Sequence, residues 1–334
     1  MLYVTTRNTG DAFTTHRVLT NNFGPDGGSF VPFRMPVLNE EQLAQLRDKT
    51  FNQTVAEVLN SFFSLQLSGW DLDFGIGRNL VRISPMNHRI VVAELWHNLG
   101  DKFGYVEDLL AKKIVTNTDL PISWPQLSVK IAVLFGVYGQ MLREGLLNPG
   151  DVFDFSVGND DFVTPMAAMY CRSMGMPVNT IVCTCDEGRS LWDFINRGTV
   201  NTGSVDTKLQ AGLERLLHCT LGCKAAGEFT AACAAGAFYS VSEEELPQMN
   251  ASLFCSVAGK DRGQTVINSL YRTNAYIIDD DAALCYGGLQ DYRAKVGDSQ
   301  LTVILAEKTP LSCVDAVSAA TGLSAETIRN QIKA

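Results

Sequence analysis

The chain has 334 residues, 46% of them apolar and 19% charged, which is enough length and apolar content for one large domain or two ordinary ones with a buried core. That composition makes disorder and coiled coil poor readings. The formal net charge of −9 repels phosphate backbones and argues against nucleic acid as a partner.

Residues 1–36 are rich in turn formers. Phe23-Gly24-Pro25-Asp26-Gly27-Gly28 reads as a tight turn and Ser29-Phe30-Val31-Pro32 as a short apolar strand. The glycines do not read as a phosphate loop, because no helix-forming run follows to supply N-terminal amides. The first residues lack the apolar core of a signal peptide, and the longest apolar stretch, residues 131–138, falls far short of the ~20 residues of a membrane span. The expectation is a cytoplasmic protein with no membrane segment.

Residues 39–64 predict helix, capped by Asn39 and broken near Thr50, with Leu43, Leu46, Val55, Val58, Leu59, Phe62 and Phe63 on one face. Residues 65–88 carry no clear period. From there a rhythm begins. Strands are predicted at 89–95, 152–157, 180–184, 275–278 and 301–306. Helices are predicted at 126–143, 164–174, 190–196, 208–218, 265–271 and 281–292, and two more close the chain, the last capped by Ser324. This alternation predicts an α/β fold, an open, mostly parallel sheet with helices on both faces. Ligands on such a sheet bind beyond the strand C-terminal ends, where the strand order reverses. Attention therefore falls on the residues after Leu95, Val157, Thr184, Ile278 and Ala306.

Nine scattered cysteines, an odd number, predict free thiols rather than a disulfide framework. His218, Cys219 and Cys223 offer three metal ligands, but structural zinc needs four and no fourth stands at a fitting spacing. No metal site is predicted.

The strand ends carry a resemblance. Tyr3-x-Thr5-Thr6-Arg7 and the Gly24–Pro32 segment look like the opening of threonine synthases. Glu94-Leu95-Trp96-His97 resembles that family's E-L-F-H, and Ile122-Ser123-Trp124-Pro125-Gln126-Leu127 its I-N-W-A-R-L. Leu147-Asn148-Pro149-Gly150-Asp151 with Phe155-Ser156-Val157 resembles the strand before its G-N-F-G loop. Asp206, the Leu213–Leu217 helix and Ile278-Asp279 also have counterparts. The resemblance implies a fold-type II pyridoxal-phosphate (PLP) enzyme fold, threonine synthase-like. It implies an N-terminal subdomain over residues 1–92 and an α/β large domain over 93–334. Threonine synthases convert O-phosphohomoserine to threonine and phosphate, with a lysine imine to PLP, a Gly-rich phosphate cradle and a hydroxyl facing the ring nitrogen.

Much of that apparatus has no counterpart. The family continues from E-L-F-H to G-P-T-x-x-F-K-D, and a gapless alignment puts Gly104 at the lysine. Lys102 stands two positions early, a rotation of roughly 200° if helical or a shift of ~6.6 Å if extended. It is the weak Schiff-base candidate, with Lys112 and Lys113 as alternatives. Only 26 residues separate His97 from Trp124, where the family has a small α/β cofactor subdomain. A deletion between about 98 and 121 is therefore expected, and the T-S-G-D-T-G phosphate loop is absent from the sequence. The G-N-F-G-D motif reads Gly158-Asn159-Asp160-Asp161-Phe162, and the final T-A-H-P reads Glu307-Lys308-Thr309-Pro310. The cleft candidates are His97, Asp160, Asp161, Phe162, Cys185 and Glu307, with a solvated loop as the favoured reading of Glu307. Asp160, Asp161, Asp186, Glu187, Asp280 and Asp281 read first as helix caps and first-turn acids, and second as a site for a small amine or cation.

The expected function is therefore a threonine synthase-like protein that has lost PLP catalysis and acts as a binding or interaction protein. A homodimer or protein partner would cover the surface left by the deletion. The alternative is a divergent PLP-dependent threonine synthase, a carbon–oxygen lyase acting on a phosphorylated amino acid.

Overall fold

A computed structural model describes residues 1–72, 80–87, 89–97, 123–158, 162–185, 189–297 and 300–333. The expected deletion at 98–121 lies outside them. The N-terminal segment forms an antiparallel sheet in the order β2–β1–β3, from β1 (Leu2–Thr5), β2 (Phe13–Thr14) and β3 (Phe30–Pro32). The predicted turn precedes β3. Gly27 takes φ 74° there, a conformation that favours glycine, and donates to the Gly24 carbonyl at 3.0 Å.

Helix α1 (Thr15–Thr20) lies between β2 and β3, and α2 (Glu40–Gln45) and α3 (Phe51–Phe63) follow the sheet. The break near Thr50 separates two capping boxes. Asn39 and Gln42 satisfy each other's backbone N–H at the start of α2, and Thr50 and Gln53 do the same for α3.

Among the described residues the main sheet has six strands: β4 (Arg82–Pro85), β5 (Ile90–Glu94), β6 (Phe153–Gly158), β7 (Val178–Cys185), β10 (Leu253–Val257) and β11 (Leu301–Ala306). A two-stranded pair, β8 (Thr199–Asn201) and β9 (Phe238–Ser240), stands apart from it. The order is β10–β7–β6–β11–β5–β4, parallel throughout except that β4 runs antiparallel to β5 at the edge. Helices cover both faces, as the alternation implied.

Strand residues divide between the faces with period two. Val91, Ala93, Phe153, Phe155, Val157, Ile181, Cys183, Val303 and Leu305 join one core cluster. Ile90, Val92, Val182, Ile304 and Ala306 join the other. The first face is covered by α3, α4 (Trp124–Arg143), α5 (Val163–Ser173), α6 (Ser190–Arg197), α7 (Thr207–Leu221) and α8 (Cys223–Ala235). Beyond the short α9 (Leu246–Met249), the second face is covered by α10 (Lys260–Asn274), α11 (Asp280–Val296), α12 (Val314–Thr321) and α13 (Ala325–Lys333), whose start is capped by Ser324 Oγ as predicted. Trp124 at the start of α4 is buried against the rings of Tyr3, Phe62 and Tyr170, which locks the N-terminal layer to the large sheet.

Two sequence expectations are corrected. Residues 275–278 are not a strand. Ala275 takes a left-handed φ of 53° and ends α10, and residues 275–279 form an irregular connector to α11. Ile277 and Ile278 are buried in the second core without joining a ladder, so the apolar run reflects packing alone. The edge strand on that side is instead β10, whose mixed sequence Leu-Phe-Cys-Ser-Val gives little signal. The alanine-rich α8 was also missed, because small residues blur the 3.6-residue period.

Candidate functional site

On an open parallel sheet, a crevice opens where the connections of two neighbouring strands leave on opposite faces. Here that place is between β6 and β11. β6 continues into α5 on the first face, whereas β11 arrives from α11 and departs toward α12 on the second.

Three polar side chains meet at this point. Lys130, in the second turn of α4, donates from Nζ to Glu307 Oε1 at 2.8 Å, to Glu307 Oε2 at 2.7 Å and to Thr164 Oγ1 at 2.9 Å. Thr164 Oγ1 also lies 2.9 Å from Glu307 Oε1. The Lys130 side chain is 12% exposed and that of Glu307 26%. Glu307 is the first residue after β11, and Thr164 is the second residue of α5. A carboxylate of the chain itself thus rests against the first turn of α5, where the helix dipole and free amides favour an anion. Pro165, the third residue of α5, brings no N–H to that end. Glu307 therefore lies in the crevice in an ion pair, not in a solvated loop. Lys130 escaped the sequence reading. Its signal was a lone cation between Val129 and Ile131 in a helix buried on nearly every side.

A second polar group closes the end of β5. Glu94 is buried and accepts from Ser84 Oγ at 2.7 Å and Tyr276 Oη at 2.8 Å, with Arg82 Nε 3.9 Å away. His97 Nδ1 stands 3.7 Å from Glu94 Oε2. Burial lowers the His97 pKa, with Glu94 opposing that shift. His97 is thus tied to Glu94 rather than to Glu307.

At the end of β7, Cys185 is buried, with Sγ 3.8 Å from Cys255 Sγ and 3.2 Å from the Ser256 carbonyl. Burial raises the pKa of the neighbouring Cys183, which is held as thiol rather than nucleophilic thiolate. Phe162 turns the chain into α5 with a left-handed φ of 58° and sends a fully buried side chain into the first core. Asp279, rather than Asp281, caps α11, through Oδ1 to the Ala282 N–H at 2.9 Å, and Asp280 and Asp281 fill its first turn. Lys308 pairs with Asp281. Burial, ahead of the neighbouring carboxylates, pushes the Asp279 carboxyl up to about 7. Lys102, Lys112, Lys113, Asp160, Asp161, Asp186 and Glu187 fall outside the described residues. Among the described residues, His218, Cys219 and Cys223 do not converge as metal ligands.

A pH dependence follows from α7. Burial first, then the charge of Arg215, lowers the His218 pKa, with Glu214 opposing them. A histidine depressed in the folded state takes up its proton on unfolding, so stability is lost as pH falls through the ordinary value of 6.5. Denaturation curves between pH 8 and 5 are expected to fall less steeply for His218→Gln than for wild type. Parallel profiles would remove His218 from the account.

Residues 2–78 match the family model for the threonine synthase N terminus. "Threonine synthase-like 1" is 22% identical in Macaca fascicularis and 21% in Homo sapiens, each over 175 residues. Those matches cover 49% of this chain and 24% of each relative, so the aligned part spans about a quarter of their length. PLP-bound threonine synthase from Brucella melitensis superposes with a TM-score of 0.79 at 18% identity, covering 97% of this chain and 92% of that one. Yeast threonine synthase gives 0.77 at 14%, covering 98% and 91%. Residues 2–78 match the threonine synthase N terminus, and the chain as a whole shares the fold of threonine synthases. The likeness to the solved structures carries the fold, and the family's opening Thr6-Arg7 meets α7 through Glu214, which accepts from Thr6 Oγ1, Arg7 Nε and Arg7 Nη2. The Glu94–His97 network is built from the segment that resembles the family's E-L-F-H. No helix among the described residues is long and apolar enough to cross a membrane.

Proposed function

We propose that this threonine synthase-like protein has lost PLP catalysis and acts in the cytoplasm as a binding or interaction protein. The reading rests on Glu307. In the resemblance, that position belongs to the hydroxyl facing the ring nitrogen, and the adjoining helix end belongs to an anionic ligand. Here the Glu307 carboxylate takes up both Lys130 and Thr164, and its negative charge opposes a phosphate at the first turn of α5. The amine at the crevice is an ammonium in an ion pair, not a free nucleophile. On this geometry the described residues do not fit the cofactor. A second copy or a protein partner suits a binding role, as does a small amine or cation among the acids.

The competing reading is a PLP-dependent lyase with Lys102, Lys112 or Lys113 as imine partner, favoured by the PLP-bound Brucella neighbour. One experiment separates them. Purified protein mixed with PLP is expected to show no aldimine absorption band, no label after borohydride reduction, and no phosphate release from O-phosphohomoserine. A borohydride-fixed adduct on any lysine, together with phosphate release, would overturn the proposal.

A further inference from the structure

The connector between α10 and α11 ends in three consecutive aspartates, and the packing forces them together. Asp279, Asp280 and Asp281 each offer a carboxylate oxygen, and these oxygens lie within 4.8 Å of one another. Two oxygens bound to one Ca²⁺ at ~2.3–2.6 Å stand at most about 5 Å apart. The three groups thus already meet the spacing limit of a single large divalent ion. Mg²⁺, at ~2.0–2.1 Å, limits that separation to about 4.2 Å and calls for near-octahedral geometry.

Spacing alone does not make a site, since acids in a first helical turn are ordinary. The second observation is Asp279 itself. It is 1% exposed, its Oδ1 is used by the Ala282 N–H, and its Oδ2 is buried with no hydrogen-bond partner. A buried carboxylate oxygen without a donor carries a desolvation cost that a cation would offset. The two other acids are half-buried and leave the group open on one side. Asp280 Oδ1 accepts the Asp281 N–H at 3.1 Å, and the Cys313 side chain lies against Asp280. The Lys308 ammonium, from the turn after β11, contacts Asp281. With all three carboxylates ionised, their formal −3 less the +1 of Lys308 leaves −2, the charge a divalent ion neutralises. The positive end of α11 opposes a cation here, a small effect beside three carboxylates.

We propose that Asp279, Asp280 and Asp281 form a Ca²⁺ site at the start of α11, with the Lys308 ammonium as the neighbour the ion competes with. The site uses all-oxygen hard ligands, as Ca²⁺ requires, and takes its remaining ligands from water on the open side. It stands whether or not PLP catalysis has been lost, and its test involves no cofactor.

The test is calorimetric and thermal titration of the full-length, chelator-stripped protein with CaCl₂, against MgCl₂ and NaCl at matched ionic strength. The expected result is a 1:1 heat with Ca²⁺ and a midpoint that rises with Ca²⁺ concentration and returns on adding chelator. Mg²⁺ is expected to bind at least tenfold more weakly. Asp280→Asn, which spares the helix cap, should weaken Ca²⁺ binding at least tenfold. Lys308→Gln, which removes the competing ammonium, should tighten it several-fold. Absence of a Ca²⁺ heat in wild type would overturn the site. So would Ca²⁺ binding that neither substitution changes, because the ion would then bind elsewhere. Should Asp280→Asn fail to fold, the direction of the Lys308→Gln change decides.

Discussion

Glu214→Leu is expected to lower stability by about 3 kcal/mol, near the bottom of the range for breaking a buried ion pair. The reason lies in how many groups depend on this one carboxylate. Its side chain is 6% exposed and accepts from Arg7 Nε at 3.1 Å, from Arg7 Nη2 at 3.2 Å and from Thr6 Oγ1. Thr6 Oγ1 in turn accepts the Ser29 N–H at 3.0 Å, so the network ties β1 and the entry to β3 onto α7. Next to it, Arg215 is wholly buried and donates to the Phe30 carbonyl at 2.9 Å. Burial lowers the Arg215 pKa, with Tyr170 and then Glu214 opposing. Removing Glu214 takes one of two opposing partners from a guanidinium that has no water to turn to. Arg7 is about one-third exposed and can rehydrate, which keeps the loss at the low end. Urea denaturation would measure the loss. Glu214→Gln, which keeps the shape and one acceptor, should recover part of it. A loss under 1 kcal/mol for the leucine variant would mean that the N-terminal layer is held by apolar packing alone.

The second large effect is expected at Gly288, inside α11. A Cβ built there overlaps Thr184 Oγ1 and stands 3.0 Å from Thr184 Cβ and 3.1 Å from its Cγ2. Glycine in a helix interior costs ~1 kcal/mol relative to alanine. Its use here reflects the close approach of α11 to β7. Gly288→Val forces helix and strand apart at a site where both are buried, and is expected to cost about 3 kcal/mol, the upper part of the overpacking range. A double substitution checks the cause. Thr184 Oγ1 is buried with no hydrogen-bond partner, so Thr184→Ala sacrifices no bond. Combined with Gly288→Ala, it should be distinctly more stable than the sum of the two single changes, because the residues touch. Simple additivity in chemical denaturation would show that the clash is relieved by a shift elsewhere.

Both sites bear on the crevice. α7 and the N-terminal sheet flank α5 on the first face, and α11 sets the second face beside β11. The Lys130–Glu307 pair joins helices and strands that these contacts hold in place.

Much of this architecture was legible in the residue order. Local signals suffice where the physics is local. The Asn39 and Thr50 capping boxes, the Gly24–Gly27 turn and the continuous apolar run Leu301–Ala306 each depend on neighbours in sequence. The family opening, Thr5-Thr6-Arg7, was equally plain. The strand failures share one cause. The Ile277-Ile278 run has a strand's apolarity but no partner to pair with, and β10 has a partner but a weak pattern. Strand pairing is a long-range event that composition does not encode.

The site divides along the same line. Sequence alone determined that the position after β11 is acidic and that no family phosphate loop is written in the chain. It also determined that three aspartates stand in a row. Only the tertiary structure decided that Glu307 meets a lysine 177 residues earlier. It likewise decided that Asp279, of the three, is the one buried with an unpaired oxygen. Charge is a property of the residue, but its partner and its hydration are set by which elements the packed core brings together.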